Sequence, residues 1–248
     1  MSFNFNRGYN SNRAPFNPFA TQETRGWVNP ALQGAISFPE KVMGLTCLAF
    51  AAAVGGVVIG FQGLDMSVGG GYLLWFIAEI ALVVATQALA DRPVIGITLF
   101  VAFGVVTGLI ISPLLYWLAQ TGAQGIVYEA LAATAATTGG VTIYARTTSR
   151  DFSRMGNWLF GALIGIVVAM VIGLFLHSTA FQIFISAAAC VLFSLFLLYD
   201  VQRVTMTRMG TQGNAIRMAL RVYLDIFNLF INLLSILALT QGGGSNRR

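Results

Sequence analysis

Asp200 and Asp225 are the residues of this chain best placed to do chemistry, since each is a carboxylate in or beside an apolar run of membrane-crossing length. An ionised carboxylate in hydrocarbon costs on the order of 2.5 kcal/mol or more, so each needs a partner, the protein interior or a wet cavity. Two carboxylates sharing one site do not comfortably both ionise, and their joint titration can reach towards neutral pH. That chemistry is proton sensing. The last apolar run carries a second pattern: Arg221, Asp225, Asn228, Asn232 and Ser235 recur at intervals of 4, 3, 4 and 3, which puts them in one stripe along a helix. Such a stripe does not face lipid. It predicts a C-terminal helix at the centre of a bundle, with Asn228, Asn232 and Ser235 lining any permeation route.

Two further acids lie in apolar runs. Glu79 sits mid-span and Glu129 about one turn inside another span; each either lines the route and guides cations or is hydrogen-bonded within the bundle. His177, the single histidine, falls in a short connection and reads as a solvated loop residue. Cys47 and Cys190 lie inside apolar runs with no His or Cys at ligand spacing, so neither a disulfide nor a metal cluster is expected.

The elements that must hold these groups follow from composition. Of the 248 residues 56% are hydrophobic and only 9% charged, and mean hydropathy is +0.75; an ordinary soluble domain carries roughly 25% charge. A polytopic membrane protein is implied, with room for about seven spans of roughly 20 residues. The apolar runs are Val42 to Gly60, Tyr72 to Ala90, Val94 to Leu118, Gly125 to Ala145, Trp158 to Leu176, Ala180 to Tyr199 and Ala219 to Leu239. Residues 1–37, rich in Asn, Arg, Gly, Pro and Phe, read as a disordered basic cytoplasmic tail without a signal peptide; residues 38–240 form the seven-helix domain, and 241–248 a second disordered tail.

Orientation follows from the loop cations. Arg7, Arg13, Arg25 and Lys41 precede the first span; Arg92, then Arg146, Arg150 and Arg154, then Arg203, Arg208 and Arg217 lie in the second, fourth and sixth connections, while the odd connections have no Lys or Arg. The N-terminus and the even connections are therefore expected in the cytoplasm. Arg247 and Arg248 then lie on the wrong side, a conflict that a re-entrant last segment would remove. The net charge of +5 is accounted for by this topology and by anionic lipid, not by nucleic acid. Trp75, Trp117, Trp158, Tyr72, Tyr116, Tyr199 and Tyr223 are placed as an interfacial aromatic belt. Gly56-x-x-x-Gly60, Gly104-x-x-x-Gly108, Gly161-x-x-x-Gly165 and the small residues from Ala132 to Gly140 predict close helix packing.

Asp225 lies six residues past the start of its apolar run, roughly 9 Å deep at about 1.5 Å per residue, and Asp200 ends the preceding span on the same side. The two are expected to meet at the cytoplasmic mouth, with Arg92, Arg203 or Arg221 as available cations. A structural ion cluster and a gate are both open readings of that meeting.

Val127-Tyr128-Glu129-Ala130, Arg150-Asp151-Phe152-Ser153, Leu198-Tyr199-Asp200 and Tyr223-Leu224-Asp225-Ile226-Phe227-Asn228-Leu229-Phe230, with Arg92 and Phe103-Gly104-Val105-Val106-Thr107-Gly108, resemble the Bax inhibitor-1 family over roughly residues 40–240. The resemblance implies an all-α membrane fold of seven helices, the last surrounded by the other six, and a pH-sensitive calcium leak. It also implies that Asp200 and Asp225 form the proton-sensing pair, with Arg92 as its latch.

The leading expectation is therefore a calcium-permeable leak channel, not an enzyme. Its partners are the lipid bilayer, protons and calcium, the last held weakly and largely hydrated at Asp200 and Asp225, because two carboxylates fall short of the six to eight oxygens calcium usually takes. An intramembrane aspartyl protease is disfavoured, since Arg221-Val222-Tyr223-Leu224 precedes Asp225 in place of a Gly-x-Gly-Asp context. The alternative is a non-conducting interaction protein that modulates a membrane protease or a cell-death or stress response, with the basic tail as its working part. The expected location is a bacterial cytoplasmic membrane.

Overall fold

The computed structural model describes residues 37–62, 71–207 and 210–241; the two expected tails otherwise lie outside the described residues. Seven helices run through the described chain: α1 (Phe38–Phe61), α2 (Gly71–Leu89), α3 (Pro93–Gln120), α4 (Gln124–Thr147), α5 (Gly156–Leu176), α6 (Thr179–Met206) and α7 (Gln212–Gln241), with a 3-10 turn at Ser153–Met155 before α5. Six are long and apolar enough to cross a membrane, and α2 contributes a shorter apolar stretch, Leu74–Leu89.

The helix ends are set by polar chemistry, not by where the apolar runs stop. Ser37 and Glu40 form a reciprocal cap on α1, and Pro93 opens α3, where its missing N–H costs nothing. The α5 helix stops at His177, whose φ of 46° is left-handed and ends the helical run; the residue is exposed, and its Nδ1 lies 3.0 Å from the Phe175 carbonyl. Thr211 accepts from the Asn214 N–H ahead of α7.

The tightest seam joins α1 to α3. A Cβ on Gly56 would run into the Val105 carbonyl, and one on Gly108 into the Ala53 carbonyl; only glycine on both sides lets the backbones approach so closely. By contrast, Gly161 and Gly165 have no neighbour a Cβ would touch, so that motif forms no helix contact among the described residues. Gly139 and Gly140 in α4 are also open, against the expectation of tight packing there.

Helix α7 packs against α1, α2, α3, α4 and α6, whereas α5 leans on α6. Tyr223 is no belt residue: it is 0% exposed and its ring lies 4.5 Å from Phe50, 5.4 Å from Phe103 and 5.8 Å from Phe227. It faces inward because it lies two residues from Asp225, about 200° around the helix, so the polar stripe and the aromatic core occupy opposite faces of α7. Trp117, Trp158 and Tyr116 are exposed on the apolar surface.

Candidate functional site

The α6 helix continues past its apolar run to Met206, and α7 begins at Gln212, well before Ala219. Asp225 therefore lies thirteen residues into α7, about 20 Å along the axis, and Asp200 lies six residues before the end of α6. Both aspartates sit farther inside their helices than the apolar runs indicate. The extra turns mix polar residues such as Gln202, Arg203, Asn214 and Arg217 with apolar ones, so hydropathy drops there while the backbone stays helical.

Helix α6 packs on α7, and Asp200 and Asp225 line one and the same cavity. Asp200 is 3% exposed and Asp225 6%. Oδ1 of Asp200 and Oδ2 of Asp225 are buried with no hydrogen-bond partner among the described residues. Carboxylates so placed are costly unless they share a proton or meet a cation. The cations acting on the pair are Arg221, one turn before Asp225 on α7, and Arg203, just after Asp200. Arg203 donates to the Tyr199 hydroxyl at 3.2 Å and lies over that ring, whereas Arg221 lines the same cavity as both acids without forming an ion pair among the described residues.

The pair opens onto a cavity of about 620 Å³ between α5, α6 and α7, whose polar wall is Asp200, Arg221, Asp225, Asn228 and Gln87. A second cavity, about 410 Å³, lies farther along the same stripe beside Ser235, Ser186 and Gln182. Met170 borders both. Between them the space is filled by Phe193, Ala189 and Leu229, packed with Leu163, Ile166 and Leu233. Asn232 is buried. The Asn228 amide donates to the Leu224 carbonyl, that of Asn232 to the Asn228 carbonyl, and the Ser235 hydroxyl to the Ile231 carbonyl, each at 2.8 Å. One amide donor of each asparagine and the serine hydroxyl are thus spent on their own helix, and the second amide donors and the amide oxygens remain for other partners.

The other expected site residues lie elsewhere. Arg92 is exposed at the α2–α3 turn, and its side chain makes no hydrogen bond or ion pair among the described residues, so no latch to the pair is formed in this conformation. Its neighbour Asp91 takes the ionic role there: Arg217 of α7 grips it at 3.0 and 2.6 Å and donates to the Gln87 carbonyl at 3.2 Å. The Arg217 guanidinium holds the Asp91 carboxyl below the usual carboxylate range. Glu79 approaches Thr107 of α3 at 3.5 Å, on the side of the Tyr223 cluster and away from the pair. Glu129 accepts from Gln241 at 2.8 Å, tying the start of α4 to the end of α7.

Residues 37–242 match the family model described as inhibitor of apoptosis-promoting Bax1. The chain belongs to the Bax inhibitor-1 family. Within and around that family it is similar to an uncharacterized protein of Helicobacter pylori, 35% identical over 67% of this chain and 71% of the relative. It is similar also to the inner membrane protein YbhL of Escherichia coli, 34% identical over 64% of this chain and 71% of the relative. A Vibrio cholerae relative, described as a membrane protein, is 35% identical over 56% of this chain and 61% of its own length. With its six membrane-length helices, this Bax inhibitor-1 protein is a multi-pass membrane protein whose surface meets lipid.

Reasoning from sequence missed two anchors of the site. Arg217–Asp91 fixes the start of α7 to the α2–α3 turn, and the signal available was an acid next to the expected latch arginine. Gln202, buried next to the pair's helix turn, accepts from the Phe152 N–H at 2.9 Å and donates to the Arg150 carbonyl at 2.7 Å, clamping the α4–α5 connection onto α6. A glutamine near the end of an apolar run carries no mark of that task.

Proposed function

We propose that this protein is a pH-sensitive, calcium-permeable leak channel gated by Asp200 and Asp225 at the cytoplasmic mouth. The observation that carries the reading is the buried aspartate pair opening onto the first of two cavities strung along one polar stripe of α7. In the closed state the pair holds Arg221, and the apolar layer of Phe193, Leu229 and Met170 keeps the cavities apart. Protonation of the pair weakens its hold on Arg221 and lets α5, whose only neighbouring long helix among the described residues is α6, swing outward; the cavities then join. Here α7 is the central element, the cytoplasmic side is the end rich in arginine, and the domain of residues 38–240 carries the function between its two tails.

Calcium is cargo. Two carboxylates and the oxygen of Asn228 supply too few ligands for a tight site, and the described residues hold no group of three or more acidic, histidine or cysteine side chains. A passing cation that keeps most of its water suits this donor set. Proteoliposomes loaded with a calcium dye test the reading across pH 6 to 8, wild type beside Asp200→Asn and Asp225→Asn. A graded leak that flattens in both variants supports it, and flux no greater than that of empty liposomes at every pH sinks it.

A further inference from the structure

We propose that a crevice between α1 and α4 is a binding site for one anionic phospholipid, its acyl chain inside and its phosphate at Arg146. The backbones of the two helices stay apart, and the one side-chain hydrogen bond between them among the described residues is Arg146 to Met43 at one end. The gap between them is floored by α7 through Ile226, Phe227 and Phe230, giving a cavity of about 880 Å³ open along its length. Its walls are nearly all carbon, including exposed Val54, Val58 and Leu131. The small residues Ala135 and Gly139 on α4 leave the space instead of closing it. Because both walls belong to membrane-length helices, this opening faces hydrocarbon, and an acyl chain is the abundant molecule of matching shape and polarity.

Polarity is graded along the crevice. A narrower pocket continues it, sharing Met43, Phe50, Thr138 and Thr142, and ends at Arg146 in the last turn of α4. The Arg146 guanidinium finds no carboxylate among the described residues; its contact is the Met43 sulfur at 3.7 Å, a weak acceptor. Two turns deeper the Thr138 hydroxyl is buried without a hydrogen-bond partner, where both pockets meet. A guanidinium for a phosphate, an unspent hydroxyl for an ester carbonyl and a carbon-lined slot occur in the order in which a phospholipid presents those groups. The site shares no residue with the aspartate cavity, which lies across α7.

Native mass spectrometry of the full chain, released from micelles containing equal phosphatidylglycerol and phosphatidylcholine, reads the binding directly. The expected result is one retained phosphatidylglycerol, reduced at least fivefold by Arg146→Gln and by Ala135→Phe, and unchanged by Arg154→Gln at the same end of the bundle. Equal retention of the two lipids, or retention indifferent to both crevice variants, overturns the proposal. A photoreactive benzoylphenylalanine replacing Leu131 gives an answer free of any folding defect in those variants. A phospholipid adduct supports the site, whereas a crosslink to residues 1–36 of the same chain or to a second copy overturns it.

Discussion

Replacing Arg221 with methionine separates the two arginines that stand as candidates for the closed-state latch. Methionine keeps the length and the helix propensity of the side chain and removes only the charge. Both arginines are exposed and neither forms an ion pair among the described residues, but Arg221 lines the same cavity as the two buried aspartates whereas Arg92 does not. Arg221 makes no ion pair within contact distance, so its attraction to the pair falls below the roughly 4 kcal/mol that two unit charges have at about 4 Å and an effective dielectric constant near 20. The cavity beside the pair is open to water, and part of that attraction is lost to screening. A closed-state advantage of about 1.5 to 3 kcal/mol remains, which is on the order of a ten- to hundredfold bias in the closed-to-open equilibrium.

Calcium-dye flux in proteoliposomes at pH 8 reads this bias. On the proposed gating wild type is nearly closed there, so Arg221→Met is expected to leak at least tenfold faster, close to the wild-type rate at pH 6, with its dependence on pH flattened. Arg92→Met is expected to behave as wild type, since nothing in the closed structure rests on that side chain. An Arg221→Met channel as tight as wild type at pH 8, or a leak produced by Arg92→Met alone, refutes the assignment of the latch.

Three more outcomes follow from the packing and the ion pairs. Gly108→Leu drives a side chain into the Ala53 carbonyl and is expected to cost about 1 to 3 kcal/mol or more, lowering the melting temperature in detergent, whereas Gly161→Leu, with open space around it, leaves the melt unchanged. Tyr223→Phe removes a buried hydroxyl that has no partner and is expected to be neutral or stabilising, while Tyr223→Ala empties the aromatic cluster at about 3 to 5 kcal/mol; equal losses in the two variants contradict this account. The lowered Asp91 carboxyl adds stability that is full above the ordinary carboxylate value near 3.9 and disappears as pH falls through its lower folded value. Melts from pH 6 to 3 should thus show Asp91→Asn losing less stability to acid than wild type, and parallel curves count against the ion pair.

The seven helices and the burial of Asp200 and Asp225 were legible because both rest on rare signals: uninterrupted apolar runs and charges where charge is expensive. Their depth was not. A hydropathy reading ends a helix where the apolar residues end, whereas the backbone ends it where a cap competes with the next hydrogen bond, and Thr211 supplies that cap a full eight residues before Ala219. Tyr223 was misplaced for a related reason. A tyrosine near the start of an apolar run suits an interface, yet once α7 begins at Gln212 that position belongs to the interior, on the face opposite the aspartate.

The small-residue stretches carry the sharper lesson. Gly56 faces the Val105 carbonyl, Gly104 and Gly108 face the Ala49 and Ala53 carbonyls, and Gly60 faces the Ser112 side chain, so each glycine opens room that the partner helix fills and the two helices close on one another. The small residues of α4 face α1 without a matching set, and the same residue types produce an open crevice. Smallness on one helix permits approach but does not drive it, because in lipid the gain comes from van der Waals contact across the seam and needs complementary surfaces on both sides. A glycine or alanine run in a single span therefore predicts either a seam or a lipid-accessible slot, and the choice is made by the residues on the neighbouring helix.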